Sequence, residues 1–357
     1  MTIYLDYQAT TPLAPEAAAA MRPWLDDKFA NPHSPHKLGR EAAAAVEMAR
    51  DQVLAALGGE AGKLYFTSGA TEAANWALKG SKARRIVTLA TEHACVLDTA
   101  EWLAGQGCEV DVLPVGADGI VDLDLVEARV VPGTSLVAAM LVNNEIGVIQ
   151  PVAEIARIAR ARGALFFCDA VQGFGRVPLP LASCDMVALS AHKIHGPKGV
   201  GALWVRAGVP LAPFLHGGGQ EGGLRSGTLS PALCAGFGAA AALPGADDVE
   251  PLWAIAREAM ADWQLNGSAE ARYRGNLNLR RAGVDAARLI SEVRGVAFSA
   301  GSACASGSGR PSHVLAALGL GGAEARSSIR LGFGRYTGEA ELRTALGLIN
   351  DAAERQL

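Results

Sequence analysis

Four short polar clusters in this chain each follow an apolar run. Ser68-Gly69-Ala70-Thr71 follows KLYFT (Lys63–Thr67), and Asn143-Asn144-Glu145 follows SLVAAMLV (Ser135–Val142). Asp169-Ala170-Val171-Gln172 follows ALFFC (Ala164–Cys168), and Ser190-Ala191-His192-Lys193 follows DMVAL (Asp185–Leu189). Each cluster has its own chemistry. Ser68–Thr71 opens a helix, where backbone N–H groups and a hydroxyl suit a phosphate. The same residues also suit a plain N-cap. Asp169 ends an apolar strand, so its carboxylate is poorly solvated and costly without a cation; the bland alternative is a capping Asp. Lys193 sits in a loop before Gly196-Pro197-Lys198-Gly199, where a lysine can act as an imine-forming nucleophile. Most lysines are simply exposed.

One cofactor explains the set jointly. Pyridoxal 5′-phosphate needs a lysine for its Schiff base, a carboxylate for its pyridinium nitrogen and a helix terminus for its phosphate. A fifth feature is Cys304, in the small-residue stretch SAGSACASGSG (Ser299–Gly309), a composition typical of flexible segments. A cysteine in an accessible loop is a candidate nucleophile. The other five cysteines lie in or beside apolar segments, where cysteine behaves as a small hydrophobe. No metal is expected, because His192 and His195 have no carboxylate or cysteine at ligand spacing. Gly217-Gly218-Gly219 lacks the ending of a Walker motif and reads as a turn or anion nest. The arginines of RYRGNLNLRR (Arg272–Arg281) read as a solvated strand face rather than a nucleic-acid patch.

The clusters need a scaffold that brings them to one edge. Strand-like runs at 63–67, 85–89, 109–113, 135–142, 164–168, 185–189 and 201–205 alternate with helical segments from Ala70, over Cys95–Leu103 and over Val152–Arg162. That alternation predicts an α/β fold with a largely parallel sheet and helices on both faces. Ligands in such sheets bind beyond the carboxyl ends of the strands, where the four clusters lie. The last hundred residues mix helices (Ala286–Val293, Pro311–Leu318, Gly338–Glu354) with short strands, as in a smaller α+β domain.

Composition excludes other classes. The chain has 357 residues, 50% hydrophobic and 19% charged, with a formal charge of −4. That is long enough for two domains and a large core. Disorder needs the opposite balance, and nucleic-acid binders usually show a basic excess. The six cysteines include no CxxC pair and suit a reduced, cytoplasmic protein. The N-terminus has no signal-peptide pattern. The uncharged stretch Ser226–Ala246 contains Pro231 and Pro244, so it predicts a buried helix with loops rather than a membrane span.

With these residues in place, the chain resembles the cysteine desulfurases, the NifS/IscS-like group of the class V aminotransferase family. The resemblance runs from Tyr4–Thr11 (YLDYQATT) to Ser327–Leu331 (SSIRL). It includes FTSGATE (Phe66–Glu72), TEHACVLDT (Thr91–Thr99), VNNEIGVIQP (Val142–Pro151), CDAVQ (Cys168–Gln172), SAHKIHGPKGVGAL (Ser190–Leu203), GGGQEGGLRSGT (Gly217–Thr228) and SAGSACAS (Ser299–Ser306). It implies the fold-type I architecture of pyridoxal-phosphate enzymes. A large domain, residues 14–245, would hold a mainly parallel seven-stranded sheet flanked by helices. Residues 1–13 and 246–357 would form a small α+β domain carrying the cysteine loop.

The resemblance also implies roles. Lys193 would form the Schiff base, His93 would stack on the ring and shuttle a proton, Asp169 would pair with the ring nitrogen and Gln172 with the ring hydroxyl. Ala70, Thr71, Ser190 and His192 would hold the phosphate. Thr228 would reach it from a partner subunit, which implies a homodimer. Asn144 and Arg330 would bind the substrate L-cysteine, Arg330 taking its carboxylate through a guanidinium fork. Freed Lys193 would remove the Cα proton, and Cys304 would take the sulfur as a persulfide, leaving L-alanine. An acceptor protein in iron–sulfur assembly or in tRNA or cofactor thiolation would then receive the sulfur. The chain departs from the group pattern at Ala300, in a compressed Asp247–Gly275 segment, and in ending soon after Glu354, without the tail often used to dock a scaffold protein.

Overall fold

A computed structural model describes residues 2–59, 61–243, 245, 247–300 and 312–357. Its strands are β1 (Ile3–Tyr4), β2 (Gly62–Thr67), β3 (Arg85–Leu89), β4 (Glu109–Leu113), β5 (Leu136–Met140), β6 (Leu165–Asp169), β7 (Met186–Ser190), β8 (Gly201–Arg206), β9 (Gln264–Leu265), β10 (Asn276–Arg280), β11 (Val296–Ala297), β12 (Ser299–Ala300) and β13 (Ser328–Gly332). Seven of them form one sheet in the order β2-β8-β7-β6-β5-β3-β4. Strands β3 to β7 run parallel to their neighbours, while β8 is antiparallel to both β7 and β2.

The apolar runs form strands because both faces of the sheet are covered. Every residue of β5 and β7 is buried. Successive side chains alternate between two core clusters, as strand geometry requires. Ile86, Leu136, Ala138, Phe167, Met186 and Ala188 pack with Ala73, Trp76 and Ala77 of the helix Ala70–Gly80. Their neighbours Val87, Val137, Ala139, Phe166, Cys168 and Val187 face the helices Lys37–Leu57, Val152–Ala161 and Pro231–Ala241. The last of these is the buried helix expected within Ser226–Ala246.

Strand order creates the site. From β3 the chain places β4 on one side and β5 on the other, so the order reverses between β3 and β5. The loops after those strands diverge there and leave a crevice. At the other side of the crevice, β8 begins with Gly201. A Cβ there would stand 2.7 Å from the Gly69 Cα, so only glycine lets the turn before the helix Ala70–Gly80 sit this close to the sheet.

A second, antiparallel sheet has the order β12-β13-β10-β9. The N-terminal strand β1 pairs with β11, and Asp6 bridges to Gly332. Here one expectation fails. The Arg272–Arg281 segment is not a solvated strand face. β10 is an inner strand, and Asn276–Leu279 are all buried. Arg272 is only 4% exposed; it donates to the Ile146 carbonyl and lies 5.1 Å from the Trp253 ring centre. The carbonyls and the ring face take the place of solvent around its charge.

Candidate active site

A cavity of about 620 Å³ opens at the carboxyl ends of β5, β6 and β7. Ala70, Thr71, His93, Asn144, Asp169, Gln172, Ser190, His192, Lys193 and Arg330 all line it. Ser68 and Gly69 line it too, ahead of the helix Ala70–Gly80, whose first N–H groups receive no side-chain cap from Gly69. Uncapped helix N–H groups at a cavity wall are an anion site in waiting.

Lys193 ends a single 3-10 turn, Ala191–Lys193, directly after β7. Its Nζ donates to the carbonyls of Gln8 and Ala9, the latter at 2.8 Å. Gln172 is held on both sides: Nε2 donates to the Gln8 carbonyl at 2.9 Å, and Oε1 accepts from Arg176 at 2.6 Å. His192 Nδ1 lies 3.2 Å from Thr10 Oγ1. Burial, helped by the charges of Lys193, Lys198 and Arg176, pushes the His192 ring down to about 4, so it is neutral at neutral pH.

Asp169 is the last residue of β6 and is 5% exposed. Its Oδ1 accepts the Val171 N–H at 3.0 Å. Burial raises its carboxyl above the ordinary range, against the pull of His93, that hydrogen bond and Lys193. His93 caps the helix Ala94–Ala104, its Nδ1 accepting the Cys95 N–H at 3.1 Å. That bond places the proton of the neutral ring on Nε2.

Arg330, on β13, is 1% exposed. Nη1 donates to the Asn144 carbonyl at 3.0 Å and Nη2 to Asp6 Oδ1 at 2.8 Å, while Nε has no hydrogen-bond partner among the described residues. The guanidinium is thus fixed with donor capacity left at the cavity wall. The Asp6 and Gln8 contacts were not foreseen from sequence. YLDYQATT stood out as a motif, but nothing local says that it meets residues 164 to 324 positions away.

Two expected residues are not brought to this cavity. Thr228 is exposed and does not line the cavity of its own chain. Cys304 lies outside the described residues, between Ala300, paired with Ile329, and Ser312, whose hydroxyl donates to Glu145. Among the described residues no cluster could hold a metal ion.

The Aminotransferase class-V model matches residues 3–344. The protein called cysteine desulfurase IscS in Rickettsia bellii is 44% identical over 370 residues, covering 98% of this chain and 90% of the relative. A solved NifS-like protein superposes with a TM-score of 0.88 at 33% identity, covering 99% of this chain and all of that one. The structure described as SspA in complex with cysteine has a TM-score of 0.85 at 33% identity, covering 94% of this chain and 100% of that chain. The family match spans both sheets and every lining residue discussed above, so this chain belongs to the class-V aminotransferase family.

Proposed function

We propose that the chain is a pyridoxal-phosphate-dependent cysteine desulfurase that converts L-cysteine to L-alanine and passes the sulfur through Cys304 to an acceptor protein. One observation carries the reading: Lys193, Asp169 and an uncapped helix N-terminus share the wall of one cavity. The residues suit the cofactor. The N-terminus of Ala70–Gly80 would take the phosphate, together with Ser190 and His192. Asp169 would accept from the ring nitrogen, which supplies the donor that its buried carboxylate needs. Gln172 would bond the ring hydroxyl through its second amide hydrogen.

When bound, the cofactor supplies an electron sink for the pair released at Cα of the amino acid. The protein does the rest. Arg330 would orient the substrate carboxylate and Asn144 its amino-acid end. Lys193 Nζ would take the Cα proton and return one. His93 Nε2 carries the proton that can be moved at the ring face. Thiolate Cys304 would attack the substrate sulfur: the S–S bond forms, the Cβ–S bond breaks, and the electron pair left on carbon is protonated to give alanine. Besides the helix end and Ser190, a neutral His192 can offer the phosphate only a single N–H, which leaves room for another donor. Thr228 of the partner subunit would provide it, which makes the working form a homodimer. The division of the chain at residues 14 and 245 belongs to the same reading, supported by a seven-stranded sheet that shares no strand with the two smaller ones. A cytoplasmic setting belongs to it as well. Five of the cysteines, Cys95, Cys108, Cys168, Cys184 and Cys234, are free thiols, and no described helix is long and apolar enough to cross a membrane.

The test is a paired assay. Protein loaded with pyridoxal phosphate and given L-cysteine and a thiol reductant should release alanine and sulfide in equal amounts. Cys304→Ser should stop both while still binding cofactor. Undiminished sulfide from that variant would refute the sulfur-acceptor role of Cys304.

A further inference from the structure

The motif TEH (Thr91–His93) contains an acid that the mechanism does not use. Glu92 has no solvent exposure at all. It lies between β3 and the helix Ala94–Ala104, at the crevice where strand order reverses. β3 pairs with β5 only as far as Thr88 opposite Ala138. Two residues on, the Met140 N–H of β5 is taken instead by Glu92 Oε1 at 2.7 Å. Met140 is paired on its other side with Asp169. The Glu92 side chain therefore stands where a longer β3 would have continued, and it satisfies β5 while the two strands part. The next residue, His93, lines the cavity, and the Glu92 carbonyl accepts from His313 Nε2 at 2.8 Å.

The second oxygen of the carboxyl decides its charge state. Glu92 Oε2 is buried and has no hydrogen-bond partner among the described residues. An ionised carboxylate in that position would be desolvated with little in return. The titratable groups around it are Asp169 and Cys168 on β6, His93 and Cys95 at the start of the following helix, and the His313 ring at its own carbonyl. Among these described groups only the two histidines could offset a negative charge; His313 touches the backbone rather than the carboxyl, and Asp169 competes for His93. Burial, with Asp169 beside it, pushes the Glu92 carboxyl well above the usual range.

We infer that Glu92 is a positioning residue working as a neutral acid: by accepting the Met140 N–H it wedges β3 from β5 and sets His93 at the cavity, without placing a second negative charge beside Asp169. The part concerning Asp169 rests on the cavity being the cofactor site; the wedge does not.

Two readouts on Glu92→Gln and Glu92→Ala test it. The first is amide exchange at Met140 in the cofactor-free protein. Gln keeps the acceptor, so protection should match the parent. Ala removes it, and exchange should speed up by about tenfold or more. The second is the pH titration of the visible absorbance of the loaded protein. Gln should leave the midpoint within about half a pH unit of the parent, while Ala should move it by roughly one unit as His93 is released. A Gln variant whose midpoint moves by a unit would overturn the neutral-acid assignment. Unchanged Met140 exchange in the Ala variant would overturn the wedge. If the parent takes up no cofactor, the reading of the cavity fails, and the exchange experiment still decides the wedge.

Discussion

Two acids buried against the large sheet are treated in opposite ways. Glu221 sits at its β2 edge and Asp169 near its centre. The Glu221 side chain is 2% exposed and fully answered: Arg50 donates to both of its oxygens, at 3.0 and 2.8 Å, and the Phe66 N–H donates at 3.0 Å. Arg50 also donates to the Leu64 carbonyl at 2.6 Å, so the pair caps the exposed edge of β2 much as another strand would. Burial works against the Arg50 charge, but the bonds to Glu221 and Glu47 outweigh it and hold its pKa above the ordinary value. Asp169 receives one backbone hydrogen bond and is pushed up by burial. An acid that the protein satisfies by itself is a structural device; an acid left in a raised state on a cavity wall is arranged for something that binds.

Substitutions can break or sharpen that contrast. The largest effect should come from Lys193→Ala, which removes both the covalent anchor and the base. Turnover should fall by on the order of 10^3-fold or more, read as alanine production together with loss of the visible cofactor band. A retained band would contradict the anchor. Asp169→Asn comes next. It keeps the shape and removes the charge that answers a ring N–H, and turnover should fall by about 10^2- to 10^3-fold. Activity near the parent's would place Asp169 among ordinary capping residues.

At the edge the loss should be of stability instead. Glu221→Ala leaves the Phe66 N–H unanswered and Arg50 with only Glu47 and the Leu64 carbonyl, and denaturant unfolding should register a loss of about 1–3 kcal/mol, with turnover per folded molecule unchanged. The same measurement on cofactor-free Asp169→Asn should go the other way. A carboxyl raised in the folded state gives stability that is full at low pH and lost as pH rises past its unfolded value. The Asn variant escapes that loss, so it should melt about 2 °C or more above the parent at pH 8, with the gap closing near pH 4. The smallest effect concerns His192, lowered to about 4 by burial and then by the neighbouring cations. Its contribution to stability is present above the ordinary histidine value and is lost as pH falls towards 4. His192→Gln should flatten the thermal-unfolding profile between about pH 6.5 and 4; an identical profile would contradict the assignment.

The same contrast explains what was legible in the sequence. Strands buried on both faces, such as Leu136–Met140 and Met186–Ser190, announce themselves as unbroken apolar runs, and the polar residues that end them must lie at one sheet edge. Asp169, Lys193 and the turn at Ser68–Thr71 were therefore readable from local pattern. The antiparallel direction of β8 was not, since an apolar run has no sign. The Arg272 environment was misjudged because charge spacing does not reveal whether a strand is inner or outer. Glu92 stood in a recognised motif, yet its role comes from where β3 stops pairing with β5, a matter of register between segments about fifty residues apart. Asp6, Gln8 and Glu221 also stood in recognised motifs, but their partners lie far along the chain and no local pattern names them.

The central claim is that Lys193 anchors the cofactor beside Asp169, and it can be tested without any assay of turnover. The loaded protein would be reduced with borohydride and digested, and the peptide carrying the pyridoxyl group sequenced by mass spectrometry. Modification at Lys193 is the expected result. Modification at Lys198, which also lines the cavity, or at no lysine, would contradict the account.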